Sequence, residues 1–180
     1  MITSCSPGWV KYCEHYFPEM TENMSSCKSP QQMFGAIVKT YYAEKEGLDP
    51  KDIVSVSVMP CTAKKFEIGR ENQNASGYPD LDYTITTREC ARLIKKYGIE
   101  FRDLEEGTYD DPLGRSSGAA VIFGATGGVM EAALRTAVWK LTGESDDSPV
   151  DFKEVRGMDG IKSATYNVEG LEIKVAVASG

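Results

Sequence analysis

The chain has 180 residues with 20 basic and 27 acidic side chains, a net charge of −7 that argues against sequence-independent binding to nucleic acid or an anionic membrane, since both need clustered Lys and Arg. With 41% hydrophobic and 26% charged residues it is an ordinary globular composition, and a chain this long buries roughly 70% of its unfolded surface without disulfide staples. Five cysteines, an odd count without regular spacing, exclude a secreted disulfide framework and point to thiols that are free or metal-bound in a reducing compartment.

In chain order, Ser6-Pro7 opens a helix over 7–17, with Ser6 as N-cap and Pro7 in the first turn, and Pro18 closes it. Ser29-Pro30 repeats the start signal. Met33, Phe34, Ile37, Val38, Tyr41 and Tyr42 then follow the spacing of an amphipathic helix that runs to Lys45 and stops at Gly47. Residues 53–59, IVSVSVM, alternate as a buried strand that Pro60 ends, and 81–85 predicts a second strand. Residues 87–98 predict a helix with Ala91, Leu93, Ile94 and Tyr97 available for burial, and 103–118 predict a long loop. A short strand over 121–123, a helix over 130–141 and an acidic loop over 144–149 follow. Strands at 152–156, 161–168 and 171–178 finish the chain, the last two as a hairpin about Glu169-Gly170. The alternation predicts one α/β domain over 1–180, a mostly parallel sheet flanked by helices with a C-terminal antiparallel portion.

The ends read as cut: candidate chemistry begins at position 3, and the last strand stops at Ser179-Gly180. The expectation is therefore an internal piece of a larger chain. No run reaches the roughly 18–20 apolar residues of a membrane span, and the first residues lack the basic and apolar regions of a signal peptide.

Three segments place reactive side chains at element ends. In Thr3-Ser4-Cys5-Ser6-Pro7-Gly8-Trp9 a thiol stands before a helix N-terminus, where the dipole favours thiolate; a plain capping turn fits equally well. In Met59-Pro60-Cys61-Thr62-Ala63-Lys64-Lys65-Phe66-Glu67 a cysteine follows a strand directly, the usual place for a site in an open α/β sheet, and Lys64 is near enough in sequence to share it. The Gly-rich stretch after Phe123 matches neither phosphate-loop nor dinucleotide spacing, so its small residues serve close backbone packing. His15, the single histidine, lies in a polar helical context, which counts against triads and histidine metal sites. Cys13, Cys27, Cys90, Trp139 and Tyr41-Tyr42 read as packing residues.

Taken together, these motifs resemble a known family. Thr3–Trp9 is similar to the first cysteine signature of the FeFe-hydrogenase catalytic domain, T-S-C-C-P-G-W, at all positions but one. Met59–Glu67 matches the second, M-P-C-x-x-K-x-x-E. Ser25-Ser26, Ser29-Pro30-Gln31-Gln32 and residues 122–137 also look like that family. The resemblance implies two α/β lobes closing over the H-cluster, a 4Fe–4S cluster joined by one thiolate to a diiron unit carrying CO and cyanide. It implies reversible reduction of protons to hydrogen, with electrons from ferredoxin or another carrier. By motif it implies that Cys61 ligates the cluster and that Cys5 and Ser25 relay protons. Lys64 would hydrogen-bond a cyanide, because a buried anion needs a charge-assisted donor. Ser29, Pro30, Gln31, Met59 and Phe123 would line the diiron pocket, with Glu67 in support. Localisation would be cytoplasmic, or periplasmic for the whole protein.

Two departures qualify this. Ser6 replaces the second signature cysteine, a cluster ligand, and an alkoxide is a harder and less readily formed ligand than thiolate. The third signature, with the E-x-x-x-C-x-x-x-C spacing of the other two cluster cysteines, is absent, and Cys13, Cys27 and Cys90 cannot replace it. The expectation is a metal-free, inactive piece of such a domain, dependent on the remainder of its chain. The other expectation is a hydrogenase-like iron–sulfur assembly factor or redox sensor.

Overall fold

Proline fixes where the first helices begin, because its ring pre-sets the helical φ and its missing N–H is not needed there. The computed structural model describes residues 1–115, 117–144, 151–168 and 170–179. The chain forms two compact units, Met1–Leu113 and Gly114–Gly180.

In the first unit, helix α1 spans Pro7–Tyr16 behind the N-cap Ser6, and a 3₁₀ turn over Pro18–Asn23 follows where sequence signals only an end. Helix α2, Pro30–Ile37, passes into a π-helical turn, Val38–Tyr42, and then α3, Ala43–Glu46, which ends at the left-handed Gly47. Strand β1, Val56–Met59, leads to α4, Ala63–Glu67; strand β2, Tyr83–Thr86, leads directly to α5, Thr87–Lys96. The strands pair in parallel with Ser57 opposite Thr84. Helix α5 starts in a capping box: Thr86 Oγ1 accepts from Glu89 N, and the Glu89 carboxylate accepts from Thr86 N at 2.7 Å.

The packing of α2 reverses the expected face. Gln31, Gln32, Gly35, Lys39 and Ala43 are buried, whereas Phe34 and Tyr41 are exposed. The inward face is held by charge. Lys28 Nζ donates to the fully buried Asp80 at 2.5 Å, and Lys39 Nζ donates to Asp82 at 2.7 Å. Gly35 allows the approach, since a Cβ there would overlap the Asp80 carbonyl oxygen. Strand β1 is reversed in the same way. Val54, Val56 and Val58 are exposed, and Ser55 and Ser57 face inward toward hydrogen-bonding partners. Cys61 thus follows a strand whose apolar side is open. On that side a cleft of about 680 Å³ lies between Val58 and the Cys90, Ala91 and Ile94 side of α5. Leu93 and Tyr97 are exposed rather than buried.

In the second unit, α6 spans Gly118–Ile122, so the expected strand over 121–123 is helical; Phe123 N donates to Ala119 O and ends it. Helix α7, Gly128–Thr142, follows, and a Cβ on Gly128 would overlap the Ile122 carbonyl, so only glycine admits this turn. Trp139 is half exposed on α7 rather than core. The antiparallel portion is a sheet of its own: β3 (Lys153–Glu154), β4 (Ile161–Val168) and β5 (Leu171–Ala178), in that order. The hairpin closes as expected, with Val168 opposite Leu171 and Gly170 N donating to Asn167 Oδ1 at 3.1 Å. Of the expected acidic loop, residues 145–149 lie outside the described residues, as does Glu169 in the hairpin turn. Among the described residues, no helix is long and apolar enough to cross a membrane.

Candidate functional site

The two cysteine segments meet in the first unit through Lys64. The one-turn helix α4 turns Lys64 and Glu67 to the same side, three residues apart, and buries both. Lys64 Nζ lies 3.1 Å from Glu67 Oε2 and donates at 2.5 Å to the carbonyl oxygen of Cys5, 59 residues earlier. Glu67 is the hub. Its Oε2 also accepts from Ser29 Oγ at 2.9 Å and from Gln31 Nε2 at 2.5 Å. Ser29 begins α2 without capping it through its side chain, which leaves its hydroxyl for Glu67. Beyond Gln31, Ser57 Oγ donates to Gln31 Oε1 at 2.8 Å and lies 2.9 Å from Thr84 Oγ1.

This is a buried polar network. Lys64, Glu67, Ser29, Gln31 and Thr84 are each less than a tenth exposed, and a buried ion pair is tolerable only when further hydrogen bonds satisfy it. The carboxylate has three donors, and the ammonium has partners for its protons.

The other expected residues divide. Cys5 and Ser6 are exposed, Cys61 is half-buried, and the Cys5 backbone belongs to the Lys64 network. Ser6 is in use as a helix cap: its Oγ accepts from Trp9 N at 3.4 Å. Ser25 is half-buried; its N–H donates to Ile2 O at 2.7 Å, which ties its segment to the N-terminus, and its Oγ accepts from Cys27 N. Pro30 stands in the first turn of α2, and Met59 pairs with Thr86 at the end of β1. Phe123 belongs to the second unit, at the end of α6. Cys13 is buried with its thiol toward Phe17 O, as a packing residue should be, whereas Cys27 is exposed. His15 is exposed.

A second cluster braces the site from α1. Arg70, just beyond α4, holds the Glu14 carboxylate with both terminal guanidinium nitrogens, and this pairing moves the Glu14 carboxyl below its ordinary range. Lys11 Nζ sits 4.3 Å from the centre of the Phe66 ring.

The donor set does not fit a complete four-thiolate cluster. Among the described residues no three His, Cys, Asp or Glu side chains group to hold a metal, and the signature segments offer only Cys61 with Cys5 or Ser6. The amide and the hydroxyl are committed to the Glu67 carboxylate, and the group left to meet a further anion is the Lys64 ammonium, which has three protons and two partner residues. Sequence reasoning missed Ser57, Thr84, Asp80, Asp82 and Lys39. Their single signal was the serine alternation in β1, which reads as the outward face of a strand.

Residues 1–180 match the family profile described as the iron only hydrogenase large subunit, C-terminal domain. The chain is 56% identical over 179 residues to the periplasmic Fe hydrogenase large subunit of Nitratidesulfovibrio vulgaris, covering 99% of this chain and 42% of that protein. It is 54% identical over 180 residues to the NADP-reducing hydrogenase subunit HndD of Solidesulfovibrio fructosivorans, covering all of this chain and 31% of that one. The chain thus spans well under half the length of these relatives. A solved structure of apo FeFe-hydrogenase HydA1 from Chlamydomonas reinhardtii superimposes with a TM-score of 0.75 at 48% identity, over 92% of this chain and 41% of that one. More distant relatives include a cytosolic Fe–S cluster assembly factor of Xenopus tropicalis, 33% identical over 174 residues, 86% of this chain and 35% of that protein.

Proposed function

The chain belongs to the iron-only hydrogenase large-subunit family, C-terminal domain, and on that premise we propose that it forms part of a hydrogen-converting catalytic domain. The whole protein would reduce protons reversibly to hydrogen at an H-cluster, with electrons from ferredoxin or a similar carrier. The observation that supports this reading is the buried Lys64–Glu67 pair, in which Ser29 and Gln31 hold the carboxylate and the carboxylate holds the Lys64 ammonium in place for an anionic ligand such as cyanide. In this reading Lys64 binds that anion and Glu67 fixes the ammonium. Within the first unit, Pro30 and Met59 give this side of the site apolar surface. Cys5 and Ser25 would hold and pass protons, and Cys61 would give a cluster one thiolate. The exposed Ser6, engaged as a cap, gives a weak ligand at most. With at most Cys61 and one of Cys5 or Ser6 as cluster ligands, the chain alone is expected to be metal-free and inactive.

The assembly-factor reading has one observation in its favour, the loss of a ligand cysteine at Ser6. Identity of 54–56% to hydrogenases against 33% to the assembly factor favours the hydrogenase reading.

A chimera tests it. This chain replaces the matching 179 residues of the N. vulgaris large subunit, with and without Ser6→Cys, and hydrogen evolution from reduced methyl viologen is measured beside iron content. The reading expects turnover with Ser6→Cys and reduced iron and turnover with Ser6. An iron-replete Ser6→Cys chimera without turnover overturns it. For the chain alone, stoichiometric iron with 4Fe–4S absorption after reconstitution would overturn the metal-free state.

A further inference from the structure

We propose that Ser57 and Thr84 are positioning residues of this site: the hydroxyl pair locks the amide of Gln31 in the one orientation that serves Glu67. The part concerning function rests on the hydrogenase reading of the Gln31 wall; the part concerning geometry does not.

The argument begins at the charge. An ionised carboxylate only accepts hydrogen bonds, so the Gln31 atom 2.5 Å from Glu67 Oε2 has to be the NH₂ group. Reversed, the amide would set its oxygen against a carboxylate oxygen at that distance. Gln31 Oε1 therefore faces β1, where it needs a donor, and Ser57 Oγ at 2.8 Å is that donor. A serine hydroxyl has one proton. With it committed to Gln31, the 2.9 Å contact between Ser57 and Thr84 has Thr84 as donor. Every proton direction is thus set in series: Thr84 to Ser57, Ser57 to Gln31, Gln31 to Glu67.

The parallel register makes this possible. Ser57 and Thr84 are direct partners across β1 and β2, so both side chains leave the same face of the sheet, the face turned to α2. Two strands, α2 and α4 are tied through one amide. A side chain with several rotatable bonds then presents a single donor direction to the Lys64–Glu67 pair, the condition for a preorganised site.

The test reads Gln31 itself. In the ¹⁵N-labelled 180-residue chain, the Gln31 side-chain NH₂ signals are assigned by their loss in Gln31→Leu, and their exchange with solvent is measured. Ser57→Ala and the Thr-sized Ser57→Val are expected to shift these signals and speed exchange about tenfold, as loss of one ordinary hydrogen bond does. Ser57→Thr restores the hydroxyl and is expected to restore protection. Thr84→Val against Thr84→Ser repeats the comparison independently from β2, so the test stands if one set of variants does not fold. Unchanged Gln31 exchange in Ser57→Ala or Thr84→Val with a native backbone spectrum overturns the proposal, as does failure of Ser57→Thr to rescue. In the active chimera, Ser57→Ala is expected to lower hydrogen turnover and Ser57→Thr to keep it. If Gln31 responds as expected and turnover does not, the geometric lock stands and the assignment of this wall to the hydrogen site is what fails.

Discussion

The Lys64 ammonium lies 2.5 Å from the carbonyl oxygen of Cys5 and ties the first cysteine segment to the helix after the second. That bond and the Glu67 pairing share one charge. Lys64→Met is expected to leave Glu67 buried without its cation and to destabilise the chain by about 3 kcal/mol in urea unfolding. It should also raise backbone hydrogen exchange around Cys5. A change under about 1 kcal/mol would show that water replaces the ammonium at little cost.

Lys39 and Asp82 form a pair with unequal burial: the lysine side chain is 2% exposed and the aspartate 25%. Asp82→Ala strands a buried ammonium and also removes the acceptor of Ser55 N, so a loss of about 3–4 kcal/mol is expected. Lys39→Met removes the charge and keeps the volume, and its loss should be clearly smaller. Equal losses in equilibrium denaturation would contradict this account of α2.

Glu89 sets an acid-side dependence. Hydrogen bonds from Lys65, then from Thr86, lower its carboxyl from 4.5 to about 2. Its folded value lies below its unfolded value, so the unfolded chain binds more protons in between. The stabilisation is full above about pH 4.5 and is lost as the pH falls through about 2. Glu89→Gln should flatten that part of the wild-type stability profile and leave its slope between pH 6 and 8 unchanged.

Gly35→Ala places a methyl group against the Asp80 carbonyl, a backbone atom that cannot rotate away. A loss of about 1–3 kcal/mol is expected although alanine is the better helix former, and thermal unfolding measures it. A more stable Gly35→Ala chain would show that α2 stands off from the 80–81 segment.

Val56 is 54% exposed and Val58 is 49% exposed, Val58 on the rim of the cleft beside α5. In the isolated chain Val56→Thr should change stability by no more than about 0.5 kcal/mol, the range for surface positions. A loss of 2 kcal/mol in urea unfolding would mean that the valine face is packed.

Much was legible in residue order alone. Local chemistry fixes the helix starts at Pro7 and Pro30 and the hairpin that joins the last two strands. It was equally plain that Cys5 and Cys61 stand at element ends and that Ser6 departs from the signature. Periodicity also located the faces of α2 and β1, but it assigned the apolar face inward in both. Tertiary structure decided otherwise. Lys39, Gln31 and Ser57 face inward because Asp82, Glu67 and Thr84 arrive there from more than two dozen residues away. A buried charge is stable only beside its partner, and no local pattern records where a distant carboxylate will lie. Sequence therefore singled out Ser29, Gln31, Lys64 and Glu67, and only the pairing of β1 with β2 and the approach of α2 to Asp80 added Ser57 and Thr84 and determined which atom each offers.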